Sequence, residues 1–150
     1  MDLRAGSIDI VGTKENVVRV TCQIGGDAAA VQIRLTAGQL RVYGGPNKDV
    51  RYRVEVPEKT SLYVRASAGD LVVKGITGDK DVELNAGNLT MDVGNPASYK
   101  VAEGKVKVGN LNARPFGAQK DGFLGDFRKE NRGGQYRLHV ALLAGDLTLK

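Results

Sequence analysis

Catalysis and metal binding need particular side chains within reach of one another, and this chain supplies few of them. His139 is the only histidine and Cys22 the only cysteine. A Ser-His-Asp or Cys-His device would need His139 as its base. In Leu138-His139-Val140-Ala141-Leu142 the histidine is out of phase with Val140 and Leu142, so on a strand it faces solvent. Cys22 lies in Val18-Arg19-Val20-Thr21-Cys22, in phase with Val18 and Val20, and reads as a small core residue. A single cysteine forms no internal disulfide. One histidine and one cysteine are too few for the usual structural zinc site. The expectation is a chain with no catalytic residues, no cofactor and no metal ligands, and the residues that bind a partner are not identified.

Two further patterns invite chemistry and fail on their details. Gly-Asp-Leu segments resemble calcium-binding β-rolls, where a column of aspartates holds the metal. The residues after the recurring glycines here are Ser7, Gln39, Asp70, Asn88, Lys105 and Asp146. A lysine and a glutamine in that column break a carboxylate ladder, and short polar residues that tolerate tight turns explain the rest. Gly44-Gly45 and Gly133-Gly134 match neither nucleotide-binding fingerprint. Asn88-Leu89-Thr90 is formally a glycosylation acceptor but lies within a strand pair of the core.

The elements that must position everything else are those glycines and the strands beside them. In Val82-Glu83-Leu84-Asn85-Ala86-Gly87-Asn88-Leu89-Thr90-Met91 the apolar side chains fall at 82, 84 and 86, then resume at 89, 91 and 93. Each half alternates with period two and reads as a strand with one buried face. The parity slips by one residue across Gly87, so a straight strand would turn its apolar face to water. The chain must bend or bulge there, where a residue without Cβ takes the required dihedrals. The same pattern surrounds Gly6, Gly38, Gly69, Gly104 and Gly145, which makes six copies separated by 32, 31, 18, 17 and 41 residues. Self-similarity at a short period is the mark of a solenoid. The expected fold is therefore all-β: one β-solenoid domain over residues 1–150, in coils of about 17–18 residues.

Residues 112–135 interrupt the rhythm and hold all three phenylalanines, Phe116, Phe123 and Phe127. This segment is expected to fold back over the coils with Phe123 or Phe127 packed on them, since aromatic residues argue against simple disorder. Between copies, Gly12 to Asn16, Gly25-Gly26-Asp27 and Gly44-Gly45-Pro46-Asn47 read as turns. Asp79-Lys80 and Asn95-Pro96 are placed at outer turns. No amphipathic helix is evident; Ala28-Ala29-Ala30 is too short.

The totals fit a single domain. Glycine is 20 of 150 residues, aromatics are 5% and tryptophan is absent, so the core is built from Val, Leu, Ile and Ala. The net charge of +5 permits an anionic partner. The basic residues are scattered among 17 acidic ones, however, which describes a solubilising surface and makes nucleic acid an unfavoured partner. Nothing reads as a membrane span or a signal peptide.

Val56-Pro57-Glu58-Lys59-Thr60-Ser61-Leu62-Tyr63-Val64 resembles the "V-P-x-x-T-x-L-x-V" segment of the bacterial putative-adhesin family of unknown function, the domain-of-unknown-function 4097 type. That family follows the segment with repeated "x-S/A-G-D-V/L-x-V" units. Here these are Ala68 to Val73, Ala86 to Met91 and Ala144 to Leu149. The resemblance covers nearly the whole chain. It implies a β-solenoid-like protein of the bacterial cell envelope or exterior, with any leader lying outside this chain, and it supplies no catalytic residues. The expected function is non-enzymatic, structural or adhesive, toward a cell-surface polymer or protein. The alternatives are a self-assembling scaffold module joined through solenoid ends, or a basic surface for nucleic acid or anionic lipid.

Overall fold

A computed structural model describes residues 2–3, 6–24, 31–36, 39–44 and 50–150, with side chains over 6–23 and 50–150. The strands are β1 (Asp2–Leu3), β2 (Ser7–Thr13), β3 (Arg19–Ile24), β4 (Val31–Thr36), β5 (Gln39–Gly44), β6 (Val50–Pro57), β7 (Leu62–Ala68) and β8 (Asp70–Lys74). They continue with β9 (Lys80–Ala86), β10 (Leu89–Met91), β11 (Tyr99–Val108), β12 (Leu111–Ala113), β13 (Ala118–Lys120), β14 (Phe123–Glu130), β15 (Tyr136–Ala144) and β16 (Leu147–Leu149). Short 3-10 turns at Pro96–Ser98 and Arg114–Phe116 are the only helical pieces among the described residues.

The fold is all-β, with two mixed sheets that do not close. The first sheet runs β1-β7-β9-β15-β11-β14 and the second β13-β12-β16-β10-β8-β2-β6-β3. A strand of the first sheet passes through a glycine corner into a strand of the second, which makes a unit. The units are β1–β2, β7–β8, β9–β10, β15–β16 and β11–β12, and their strands run parallel to those of the units beside them. Alternation sends one side chain in two inward from each sheet. Val64, Val82, Val140 and Val106 meet Leu71, Leu89, Leu147 and Leu111 in one core, each 0–1% exposed. The parity slip at the glycines keeps the apolar face inward across each corner.

Gly6, Gly69, Gly87 and Gly145 take φ of +141°, +126°, +123° and +128°, as the sequence requires of corners. Gly69 stacks on Gly6, Gly87 on Gly69 and Gly145 on Gly87 so closely that a Cβ on the upper residue would overlap the carbonyl oxygen beneath.

The copy assigned to Gly104 is different. Gly104 lies in the middle of β11, and the corner is Gly109, with φ +128° and stacked on Gly145. Gly104 lacks a Cβ for another reason: the ring of Phe127 occupies that space. The frame therefore shifts by five residues, and Val108, expected in the core, is 42% exposed beside the corner. The copy at residues 33–42 also departs from expectation. Its strands β4 and β5 pair antiparallel with each other, from Val31↔Gly44 to Thr36↔Gln39, and form a separate ribbon. The expectations at Gly25-Gly26-Asp27, Ala28-Ala29-Ala30, Gly38 and Gly45-Pro46-Asn47 lie outside the described residues.

Stacking order is not chain order. β15 enters the first sheet between β9 and β11, and β16 enters the second between β10 and β12. β7–β8 and β9–β10 follow one another directly in both the chain and the stack, in an 18-residue register that sets Val64 beside Val82 and Leu71 beside Leu89. Residues 112–135 do not lie over the faces of the stack but run along its end. β13 pairs antiparallel with β12, and β14 pairs antiparallel with β11. Phe116 and Phe127 stack at 5.3 Å and are buried at 6% and 7%, whereas Phe123 is 73% exposed.

Candidate functional site

The insertion of β15 brings together polar residues that lie far apart in the sequence, and Glu103, set inward by the pattern around Gly104, faces outward with them. On the outer face of the first sheet, register aligns Tyr63, Asp81, His139, Glu103 and Arg128 in one row across five strands. The next outward row is Arg65, Glu83, Ala141, Lys105 and Asp126. Neighbours in a row are cross-strand pairs, the unit through which side chains couple on a sheet.

The pairs are closed. Arg65 Nη1 lies 3.0 Å from Asp81 Oδ1 and Arg65 Nε 2.9 Å from Glu83 Oε2. The guanidinium carbon sits 4.0 Å from the ring centroid of Tyr63, a cation–π contact. His139 Nδ1 is 3.0 Å from Asp81 Oδ1. Arg128 reaches Glu103 at 2.8 Å and Glu130 at 2.9 Å. Burial pushes the Asp81 carboxyl up, but hydrogen bonds from Arg65 and His139 outweigh it and hold the group below its ordinary value. Two shallow concavities mark this face. One of about 490 Å³ surrounds His139 between Asp81, Glu103, Arg128 and Arg137. The other, about 540 Å³, runs between Leu143, Lys105, Lys107 and Leu124.

Asp81, Glu83 and His139 offer ligand atoms within 4.8 Å of one another. Both carboxylates already bind Arg65, so a cation would have to displace a guanidinium from two partners. The arrangement is an ion-pair network. His139 faces outward as alternation requires, and Cys22 lies on β3 in the other sheet, so the two are not brought together.

Structure also revises the column after the corner glycines. It reads Ser7, Asp70, Asn88, Asp146 and Asn110, since Lys105 belongs to a strand interior. Acid and amide alternate along the last four. Asn88 Nδ2 donates to Asp70 Oδ1 at 2.9 Å, and Asn110 Nδ2 donates to Asp146 Oδ1 at 2.9 Å. Each carboxylate thus has an amide donor beside it, a ladder that ties the corners together.

The group that sequence reasoning missed is Lys80. It was placed at an outer turn, yet it is in phase with Val82 and Leu84, and that parity was the available signal. Its side chain is 1% exposed, between the sheets. Nζ lies 2.6 Å from Tyr99 Oη and 3.4 Å from the Gly78 carbonyl oxygen, and the Tyr99 hydroxyl donates to Val93 O at 2.9 Å. Desolvation lowers the amine to about 8 and raises the tyrosine to about 12.

No family model matches the chain, and no curated protein does. Among solved structures, it is similar to one described as a "putative cell adhesion protein" from Clostridium sporogenes ATCC 15579. The TM-score is 0.57 at 15% identity, over 99% of this chain and 89% of that one. At that identity the likeness speaks for the fold. None of the described helical segments is long and apolar enough to cross a membrane.

Proposed function

We propose that this chain is a non-enzymatic structural or adhesion-type module, a β-solenoid working at the cell envelope or outside the cell. It presents the outer face of its first sheet to an extended partner, a cell-surface polymer or protein. The observation that supports this reading most is the pair of outward rows, Tyr63 to Arg128 and Arg65 to Asp126, which cross five strands on an open face. Repeat architectures use such extended faces for long partners that contact many side chains weakly. Tyr63 is 62% exposed above the ordered Arg65 and offers a flat apolar ring to a sugar or a peptide. The likeness to the structure described as a "putative cell adhesion protein", over 99% of this chain and 89% of that one, agrees with this reading. Because both rows carry acidic as well as basic residues, this face offers no single-sign track for nucleic acid or anionic lipid.

Retention of the labelled protein on intact bacterial cells and isolated cell walls tests the proposal. Wild type is expected to be retained saturably, and Tyr63→Ala with Arg65→Ala to lose about tenfold in affinity, a hot-spot loss. Arg65 is 25% exposed and holds two ion pairs worth about 0–1 kcal/mol each, so the melting temperature should fall by about 2–8 °C with the folded spectrum kept. Equal retention of both forms, or none of either, would contradict it.

A further inference from the structure

We infer that β14 joins a second copy of this chain, edge to edge, and that Asp126 and Arg128 set the register. β14 is the last strand of the first sheet, and among the described residues no strand pairs with its outer edge. An edge of this kind presents unpaired N–H and C=O groups, a template for another strand. Natural proteins blunt such edges with proline, bulges or charged side chains. β14 has no proline, and its charges are mixed. Asp126 and Arg128 flank the buried Phe127 and are themselves exposed on the outer face.

The argument for a second copy is self-complementarity. A two-fold axis normal to the sheet keeps the outer face outward in both copies and pairs residues of like parity, so some residue must face itself. With Phe127 on the axis, Asp126 faces Arg128 of the other copy, twice over. Placing Asp126 on the axis sets two aspartates together. Placing Arg128 there opposes two arginines and sets Asp126 against Glu130. Attraction is unopposed only with Phe127 on the axis: like charges meet in the registers on either side, and with Lys129 on the axis Arg128 would face Glu130 but two lysines would meet at the centre. Within the chain, Arg128 is held on this face by Glu103 and Glu130 at 2.8 and 2.9 Å, so its guanidinium is ordered before a partner arrives. Leu124, with φ +54°, is the one non-glycine residue of positive φ among those described; its kink limits straight pairing about Phe127 to 125–129. Phe123 and Leu124, 73% and 67% exposed, sit beside the junction. The pairing is short, which places it among weak, transient interfaces below about 1,200 Å².

Sedimentation equilibrium of the full chain over a concentration series tests this, with Asp126→Arg, Arg128→Asp and the double exchange. Each single exchange sets like charges across the axis twice and is expected to weaken dimerisation about tenfold or more. The double exchange reverses both partners and is expected to return within about threefold of wild type, as a coupled pair should. Asp126→Arg leaves the Arg128 ion pairs in place, so an unchanged circular dichroism spectrum with lost dimerisation assigns its effect to the interface. A wild type that stays monomeric throughout, single exchanges without effect, or a double exchange as weak as the singles would each overturn the inference.

Discussion

Gly87→Ala is expected to destabilise the protein by about 3 kcal/mol or more, read as a shift of the urea midpoint at unchanged slope. Two costs combine. Gly87 sits at φ +123°, where an L side chain is strained, and its Cβ would overlap the carbonyl oxygen of Gly69. That carbonyl cannot retreat freely. The amide of Gly69 donates to Ala86 O at 3.0 Å and the amide of Gly87 to Ala144 O at 2.9 Å, so the corners are tied together on both sides. Gly94→Ala is the control. Its φ is +65° and no atom would lie within 4 Å of a Cβ, so only the backbone cost of about 1 kcal/mol should appear. Equal costs at the two sites would mean that the stack of glycines is not close-packed.

Lys80→Met is expected to stabilise the protein at pH 7 by about 1–3 kcal/mol, because it removes an amine whose charged form the interior disfavours. Neutral –NH2 has two N–H groups, and Tyr99 Oη and Gly78 O match them; the third N–H of the ammonium has no partner among the described residues. Tyr99 keeps its bond to Val93 O after the substitution. The sign of the pH effect follows. The amine is lowered in the folded state to about 8, so its penalty is complete below pH 8 and fades as pH rises toward its unfolded value. Tyr99 is raised to about 12, so the unfolded chain ionises first and stability falls again above about pH 10. Wild type should gain stability from pH 8 to 10 in denaturant titrations, and Lys80→Met should lose that slope. A destabilised variant that keeps the slope would show that the buried amine is not the titrating group.

Alternation and parity made the faces legible. The slips at Gly6, Gly69, Gly87 and Gly145 named true corners, and Leu71, Leu89, Met91 and Val106 are buried as their phase requires. The same signal failed at Gly104, where a glycine at the right spacing makes room for the Phe127 ring, a partner from 23 residues downstream. Parity says which way a side chain points but not which strand lies beside it. Arg65, Glu83 and Lys105 could be placed outward from sequence. Their meeting with His139 and Arg128 could not, because it depends on β15 passing between two strands that precede it. Lys80 was misplaced for the opposite reason: the adjacent Asp79 suggested a turn, and the phase with Val82 outranked it.

That passage of the C-terminal unit builds the outer rows, and a disulfide trap tests it most directly. In a Cys22→Ser background, Thr90→Cys with Thr148→Cys should oxidise within one chain, since Thr90 and Thr148 are register partners on adjacent strands. Thr90→Cys with Asn112→Cys should not, because β16 separates them and two strand spacings, about 10 Å, exceed the reach of a disulfide. A 90–112 bond without a 90–148 bond would mean that the units stack in chain order, and the rows on the first sheet would not exist.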